Sequence, residues 1–233
     1  MSDTNSRVAL RGISSMATRH LLADLLRDYA QQRGVAVVME SVGGVDAARR
    51  VAAGEPFDVV ILARQAIDKL AGAGAVEVDS VVDIATSPIA VAVRAGTRLP
   101  DLSDEHAVRN AVLAASAIGY STGPSGDHVV RLVQGFEGRD VRVPRMVQAP
   151  PGMPVATLLA RGEVDLGFQQ LGELMDMPGV EVAGLLPEPL QAITTFAGAA
   201  TSGAVSRAEV DRLVRFLASP DVADVKRRHG MSG

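Results

Sequence analysis

The chain has 233 residues, 47% hydrophobic and 21% charged, enough apolar material for a full core in one or two domains and too much for a disordered chain. A net charge of −4, 3% aromatic residues, no Trp and no Cys exclude a basic nucleic-acid footprint, an aromatic stacking surface, disulfides and thiolate chemistry. No apolar run reaches the roughly 18 residues of a membrane span, so no membrane insertion is expected.

The opening residues 1–6 are polar, with neither the basic region nor the apolar region of a secretory signal. The expected compartment is cytoplasmic if Met1 is the natural start, and periplasmic if the chain is a trimmed form. Residues 8–13 read as a buried strand that breaks at Ser14-Ser15. Residues 15–33 carry Met16, Leu21, Leu22, Leu25, Leu26 and Tyr29 at helical spacing, and Gly34 is the expected stop. Residues 35–40 are β-rich and end in a tight loop, Ser41-Val42-Gly43-Gly44. A short helix over 45–53 precedes a third buried strand at 57–62, with Arg64 directly after it. Strand–helix alternation of this kind implies mainly parallel sheet covered on both faces.

A helix over 65–73 stops at Gly74. The apolar run 83–93, interrupted by Pro88, reads as the crossover into a second lobe. A helix over 106–115 leads to a strand at 118–120 and a loop, Ser121-Thr122-Gly123-Pro124-Ser125-Gly126, opening a helix that carries His128 and ends near Gly135. Residues 141–147 read as a strand. A proline-rich loop bearing Met153 enters a helix over 155–161, and a strand at 165–168 runs into Gln169-Gln170. The last strand, 193–200, is followed by Ser206 as N-cap of a helix to Leu217, and Ser219-Pro220-Asp221 caps a final helix ending near His229-Gly230. The tail returns to complete the first lobe. The lobes are then 1–88 plus 194–233, and 89–193.

The chain repeats itself. A strand broken at Ser14-Ser15 before a helix is echoed by the strand broken at Ser121, and Gly54-Glu55-Pro56-Phe57-Asp58-Val59 is echoed by Gly162-Glu163-Val164-Asp165-Leu166. Two similar α/β lobes, each with a small-residue loop at a helix N-terminus, make a central cleft lined by backbone N–H groups, which suits a small anion. Ser14-Ser15 serve equally as helix cap or ligand contact, and Gly43-Gly44 as turn or as close backbone approach. Arg64 is a solvated charge or a carboxylate clamp, since ligands of open α/β sheets bind at strand carboxyl ends. His128 is structural or a proton carrier. Glu55, Asp58, Glu163 and Asp165 read as helix-end and turn residues. His20, His106 and His229 read as helix-face residues without metal-ligand spacing. Lys226-Arg227-Arg228 reads as a cationic helix end.

The order of these parts resembles the molybdate-binding-protein-like family of solute-binding proteins, with the type II periplasmic-binding-protein fold. The resemblance rests on Ser14-Ser15, Gly43-Gly44-Val45-Asp46-Ala47, Gly54-Glu55-Pro56-Phe57-Asp58-Val59-Val60 and Phe216-Leu217-Ala218-Ser219-Pro220, spread over nearly the whole chain. It implies an oxyanion or carboxylate held by Ser14, Ser15, Gly43 and Gly44 from one lobe and Ser121, Ser125, Gly126, Met153, Gln169 and Gln170 from the other. The molybdate binders place a tyrosine about where Gln170 stands and a small hydroxylic residue where this chain has Gly43-Gly44, which points away from molybdate. The Ser-Ser-Met-Ala-Thr-Arg and Val-Gly-Gly-Val-Asp-Ala runs resemble an enzyme branch, that of aconitate isomerase.

The expected function is a cofactor-independent isomerisation of a small di- or tricarboxylate by a proton and double-bond shift, with Arg64 and His128 as catalytic residues and no metal. The alternative is a non-catalytic solute-binding protein for a carboxylate or a molybdate- or sulfate-like oxyanion, which alone would call for an ABC transporter as partner. A ligand-sensing domain is a third reading, weakened by the lack of an attached signalling segment.

Overall fold

A computed structural model describes residues 9–136 and 143–233. Val8, the opening residues 1–6, and residues 141–142 of the strand expected at 141–147 lie outside them. The chain forms two compact units, one of residues 1–85, 195–228 and 232–233, the other of 86–194 and 229–231.

The first unit begins with β1 (Leu10–Ser15), a short 3-10 turn (Met16–Thr18) and α1 (Arg19–Arg33). Then come β2 (Val37–Val42), α2 (Gly44–Ala52), β3 (Val59–Ala63), α3 (Arg64–Gly72) and β4 (Val82–Ser87). The leucines read at helical spacing are the buried face of α1, where Leu21, Leu22, Leu25 and Tyr29 are no more than 1% exposed. Gly34 ends that helix in the left-handed region (φ 68°) with its N–H on the Ala30 carbonyl, as a C-terminal glycine does.

The second unit runs β5 (Ile89–Arg94), α4 (Glu105–Ala114), β6 (Ala117–Tyr120), α5 (Pro124–Gly135), β7 (Arg145–Gln148), α6 (Val155–Ala160), β8 (Leu166–Gln170), α7 (Leu171–Leu174) and β9 (Val180–Leu185). The chain returns through β10 (Thr194–Ala200) to α8 (Arg207–Ala218) and α9 (Ala223–Arg228).

The sheets are ordered β2-β1-β3-β10-β4 and β7-β6-β8-β5-β9. Each holds a parallel trio in which the earliest of the three strands lies between the other two: β2-β1-β3 and β7-β6-β8. Each trio is joined at its third strand by an antiparallel strand, β10 on β3 and β5 on β8. The repeat seen in the sequence is therefore a repeat of topology. β3 (Val-Val-Ile-Leu-Ala), β5 and β8 are buried almost throughout because helices cover both faces, which is why they read as unbroken apolar runs.

The structure adds to or corrects the sequence reading at four places. The run 83–93 is two strands, β4 and β5, in two different sheets, meeting at Pro88, whose missing N–H interrupts the ladder. The antiparallel β9 and the short α7 have no clear sequence signature; β9 is a half-exposed edge strand with a register shift between Val91 and Ala92 on its partner. Ser206 occupies the N-cap of α8 without a side-chain capping bond. Lys226 does not stand at a solvated helix end: it is fully buried, and its Nζ has no hydrogen-bond partner among the described residues.

Candidate functional site

In the first unit, β1, β2 and β3 run parallel, so their carboxyl ends share one sheet edge. Ser14 pairs in register with Ser41 and is fully buried; the two hydroxyl oxygens lie 2.9 Å apart. Ser15 is the N-cap of the 3-10 turn, its hydroxyl accepting the Ala17 N–H at 3.3 Å while its carbonyl accepts from the Thr18 hydroxyl at 3.0 Å. Gly43 is the N-cap of α2 and makes no side-chain cap, so the first N–H groups of that helix have no intrahelical partner. A Cβ on Gly44 would sit 3.6 Å from the Ser15 hydroxyl, ordinary contact. Ser14, Ser15, Gly43 and Gly44 thus come together, and Ser41 and Thr18 join them. A hydroxyl beside this loop comes from Ser41 at the end of β2. Strand pairing brings it to Ser14, and sequence spacing alone carries no such signal.

Arg64 opens α3 directly beyond β3 at the same edge, but it is not a free guanidinium. Its Nε donates to Asp68 at 2.8 Å and its Nη1 to Asp83 at 2.9 Å, and both carboxylates hold it firmly in the charged form. A ligand carboxylate reaches Arg64 only by displacing one of them.

In the second unit, β6 ends at Tyr120 and the chain folds tightly before α5. The Ser121 and Ser125 hydroxyls lie 3.1 Å apart, both buried. Pro124 takes the first position of α5, where its missing N–H costs nothing, and the Asp127 N–H returns to the Gly123 carbonyl at 3.0 Å. His128, half-buried in α5, meets the Leu190 carbonyl through Nε2 at 2.8 Å. A carbonyl only accepts, so Nε2 carries the proton and, in the neutral ring, Nδ1 keeps the lone pair.

Three neighbours divide. Gln169 is committed to structure: its Oε1 accepts the Val155 N–H at the start of α6 (2.9 Å) and its Nε2 donates to Glu173 (2.8 Å), so the expected ligand contact is instead a clamp on a helix N-terminus. Met153 packs against the apolar cluster of α6 and Leu174. Gln170 points to the other face of β8. Its Nε2 donates to the Thr194 hydroxyl at 2.7 Å, while its buried Oε1 has no partner among the described residues. Ser87, two residues before the Ile89 that pairs with Gln170, is fully buried, and its hydroxyl has no partner among the described residues. Such orphaned polar atoms are few in a folded protein and need a ligand or a water to complete them. Sequence reading passed over Ser87 and Thr194 because each lies in an apolar or β-rich run.

The duplicated acidic residues have matching structural work. Asp58 accepts the Arg11 N–H (2.8 Å) and the Val205 N–H (2.9 Å), and Asp165 accepts those of Ser116 (2.6 Å) and Ala117 (3.2 Å). Each ties the lead-in of the last strand of a parallel trio to the start of that trio's central strand, β3 to β1 and β8 to β6. Each unit by itself presents neutral donors of the kind that suits an anion: the hydroxyls of Ser14, Ser15 and Ser41 in the first, and those of Ser121 and Ser125 with the Gln170 amide in the second. Among the described residues, no group of three or more His, Asp or Glu could hold a metal ion, and no helix is long and apolar enough to cross a membrane.

Comparison with known proteins agrees with the fold. The family model described as bacterial extracellular solute-binding protein matches residues 10–232. Aconitate isomerase of a Pseudomonas species is 37% identical over 182 residues, covering 78% of this chain and 70% of that protein. The molybdate-binding protein ModA of Escherichia coli strain K12 is 23% identical over 226 residues, 91% of this chain and 84% of that one. The solved periplasmic molybdate-binding protein of Azotobacter vinelandii has the same fold, with a TM-score of 0.75 at 20% identity over 96% of this chain and 99% of that one.

Proposed function

Because the chain belongs to the family of bacterial extracellular solute-binding proteins, we propose that it holds a small di- or tricarboxylate and isomerises it without a cofactor by moving a proton and a double bond. The observation that carries this reading is the 37% identity to aconitate isomerase over 182 residues, against 23% to the molybdate-binding protein. The neutral donor set supports an anionic ligand, and the glutamine at position 170 supports a ligand other than molybdate.

The chemistry asks for little. A base removes a proton from the methylene beside the carbon–carbon double bond. The electron pair spreads over the allylic system into a carboxylate, and the proton returns at the other end. In each unit a set of hydroxyls and N–H groups offers a carboxylate hold that also stabilises the charge spreading into it: Ser14, Ser15 and Ser41 in the first, Ser121 and Ser125 in the second. His128 Nδ1 is the proton carrier, its ring oriented by the Leu190 carbonyl. Arg64 contributes only where substrate displaces Asp68 or Asp83.

The test is proton NMR of the purified protein with cis- and with trans-aconitate in deuterated buffer. Interconversion with deuterium incorporation is the expected result, and no turnover with either acid sinks the isomerase reading. The second reading is a non-catalytic binder of a tetrahedral oxyanion that delivers it to an ABC transporter, favoured by the fold shared with the Azotobacter molybdate-binding protein. It predicts a rise in melting temperature with molybdate, tungstate or sulfate and none with aconitate.

A further inference from the structure

The second unit carries a cavity that the proposed reaction does not use. β5 runs antiparallel to β8, with Ala92 opposite Gly167, so the carboxyl end of β5 lies beside the amino ends of β8 and β6. Ser121 and Gln170 stand at the other edge of the same sheet. At the edge away from them, β5, the segment after it, α4 and the lead-in to β8 enclose about 360 Å3. That is the lower end of the roughly 300–1,000 Å3 range of small-molecule sites.

Its lining has two parts. The floor is apolar: Val93, Val164 and Leu166 are each no more than 5% exposed, and Ala115 is 8% exposed. The rim carries Arg94, Arg98 and the Thr97 hydroxyl. Neither arginine forms an ion pair with a described residue, so both guanidiniums are open to an anion. Arg94 lies over Gly162, its Nη1 3.6 Å from where a Cβ on that residue would stand, so the guanidinium turns toward the cavity wall rather than away from it. The acidic group in the lining, Asp165, has one carboxylate oxygen engaged by the Ser116 and Ala117 N–H groups. Two arginines against one aspartate leave the lining net positive.

We propose that this cavity is a second ligand site, separate from the Ser121 loop, which takes a short-chain aliphatic monocarboxylate: the alkyl body on the Val93–Leu166 floor, the carboxylate on Arg94 and Arg98. An apolar floor with paired guanidiniums at the rim fits a molecule that is apolar at one end and anionic at the other. A tricarboxylate would bury charge against the floor without partners and is excluded from it.

The experiment is a nitrogen–proton correlation NMR titration of the full chain with hexanoate. Saturable shifts at the Thr97, Ala111 and Gly162 amides, with residues 121–126 unmoved, are expected. Hexanoate binds at least about tenfold more tightly than acetate, because four more methylenes leave water. R94A/R98A, two exposed substitutions that leave the fold intact by its thermal melt, abolishes the shifts. The proposal is overturned if hexanoate moves only residues 121–126, if the double variant responds like the parent, or if 1-hexanol, which has no carboxylate, binds as well as hexanoate.

Discussion

A Cβ on Gly126 would stand 1.8 Å from the carbonyl oxygen of Ser121 and 2.9 Å from its carbonyl carbon. The turn from β6 into α5 closes on itself through that contact, and only glycine lets the backbone approach so closely. The two serines of the turn keep their 3.1 Å separation because of it. Gly126→Ala therefore forces the 121–126 loop open. We expect a loss of about 1–3 kcal/mol in stability and of the ligand-induced rise in melting temperature. Gly44→Ala is the control for stability alone: its new methyl meets the Ser15 hydroxyl at 3.6 Å, so the unliganded melt stays at the parental value. Thermal melts with and without aconitate distinguish the two.

His128→Asn removes the Nδ1 lone pair assigned to proton transfer while keeping a polar side chain near the Leu190 carbonyl. A fall in kcat of about 10²–10⁴-fold, with KM changed far less, is the expected outcome of a steady-state assay on aconitate. Turnover at the parental rate would remove His128 from the chemistry.

Ser14 and Ser41 share a hydrogen bond at the carboxyl ends of β1 and β2. Ser14→Ala leaves the Ser41 hydroxyl without that partner and deletes one donor from the site. Calorimetric titration should give a Kd about tenfold weaker, the worth of one hydrogen bond, while the fold is retained.

Asp58→Ala strands the N–H groups of Arg11 and Val205, one of them in the first strand. A loss of about 1 kcal/mol is expected, since two hydrogen bonds are lost but both donors lie on exposed residues that water can reach, read as a lower urea midpoint. Asp58→Asn keeps one acceptor oxygen and loses less. Neither change alters kcat in the folded protein, because Asp58 ties strands and touches no ligand.

Lys226 is buried without a hydrogen-bond partner among the described residues, and burial pushes its amine below the ordinary lysine range. Between the lowered folded value and the ordinary unfolded one, the unfolded chain binds more protons, so this residue's cost is present at neutral pH and fades as pH rises toward the ordinary lysine range. Lys226→Met should raise stability at pH 7 by about 1–3 kcal/mol, and the advantage should shrink at alkaline pH. Urea denaturation of both proteins across pH 7–10 measures it; an advantage that grows with pH would overturn the assignment.

The sequence by itself determined the repeated strand–loop–helix plan, because buried strands and amphipathic helices write their periodicity locally. The leucine face of α1, the Gly34 stop, the apolar β3 and the Ser121–Gly126 turn all stand where the pattern puts them. It also separated the echoed Asp58 and Asp165 from catalytic candidates. What a side chain does once the chain has folded was decided only by tertiary structure. Gln169 and Gln170 are adjacent and chemically identical, yet strand alternation sends one to cap α6 and leaves the other with an unpartnered oxygen beside Thr194. Arg64 reads as a free cation until Asp83, nineteen residues on, is seen to hold it. Lys226 reads as solvated until its helix is seen packed on α1. Each outcome depends on partners distant in sequence, and local patterning carries no record of them.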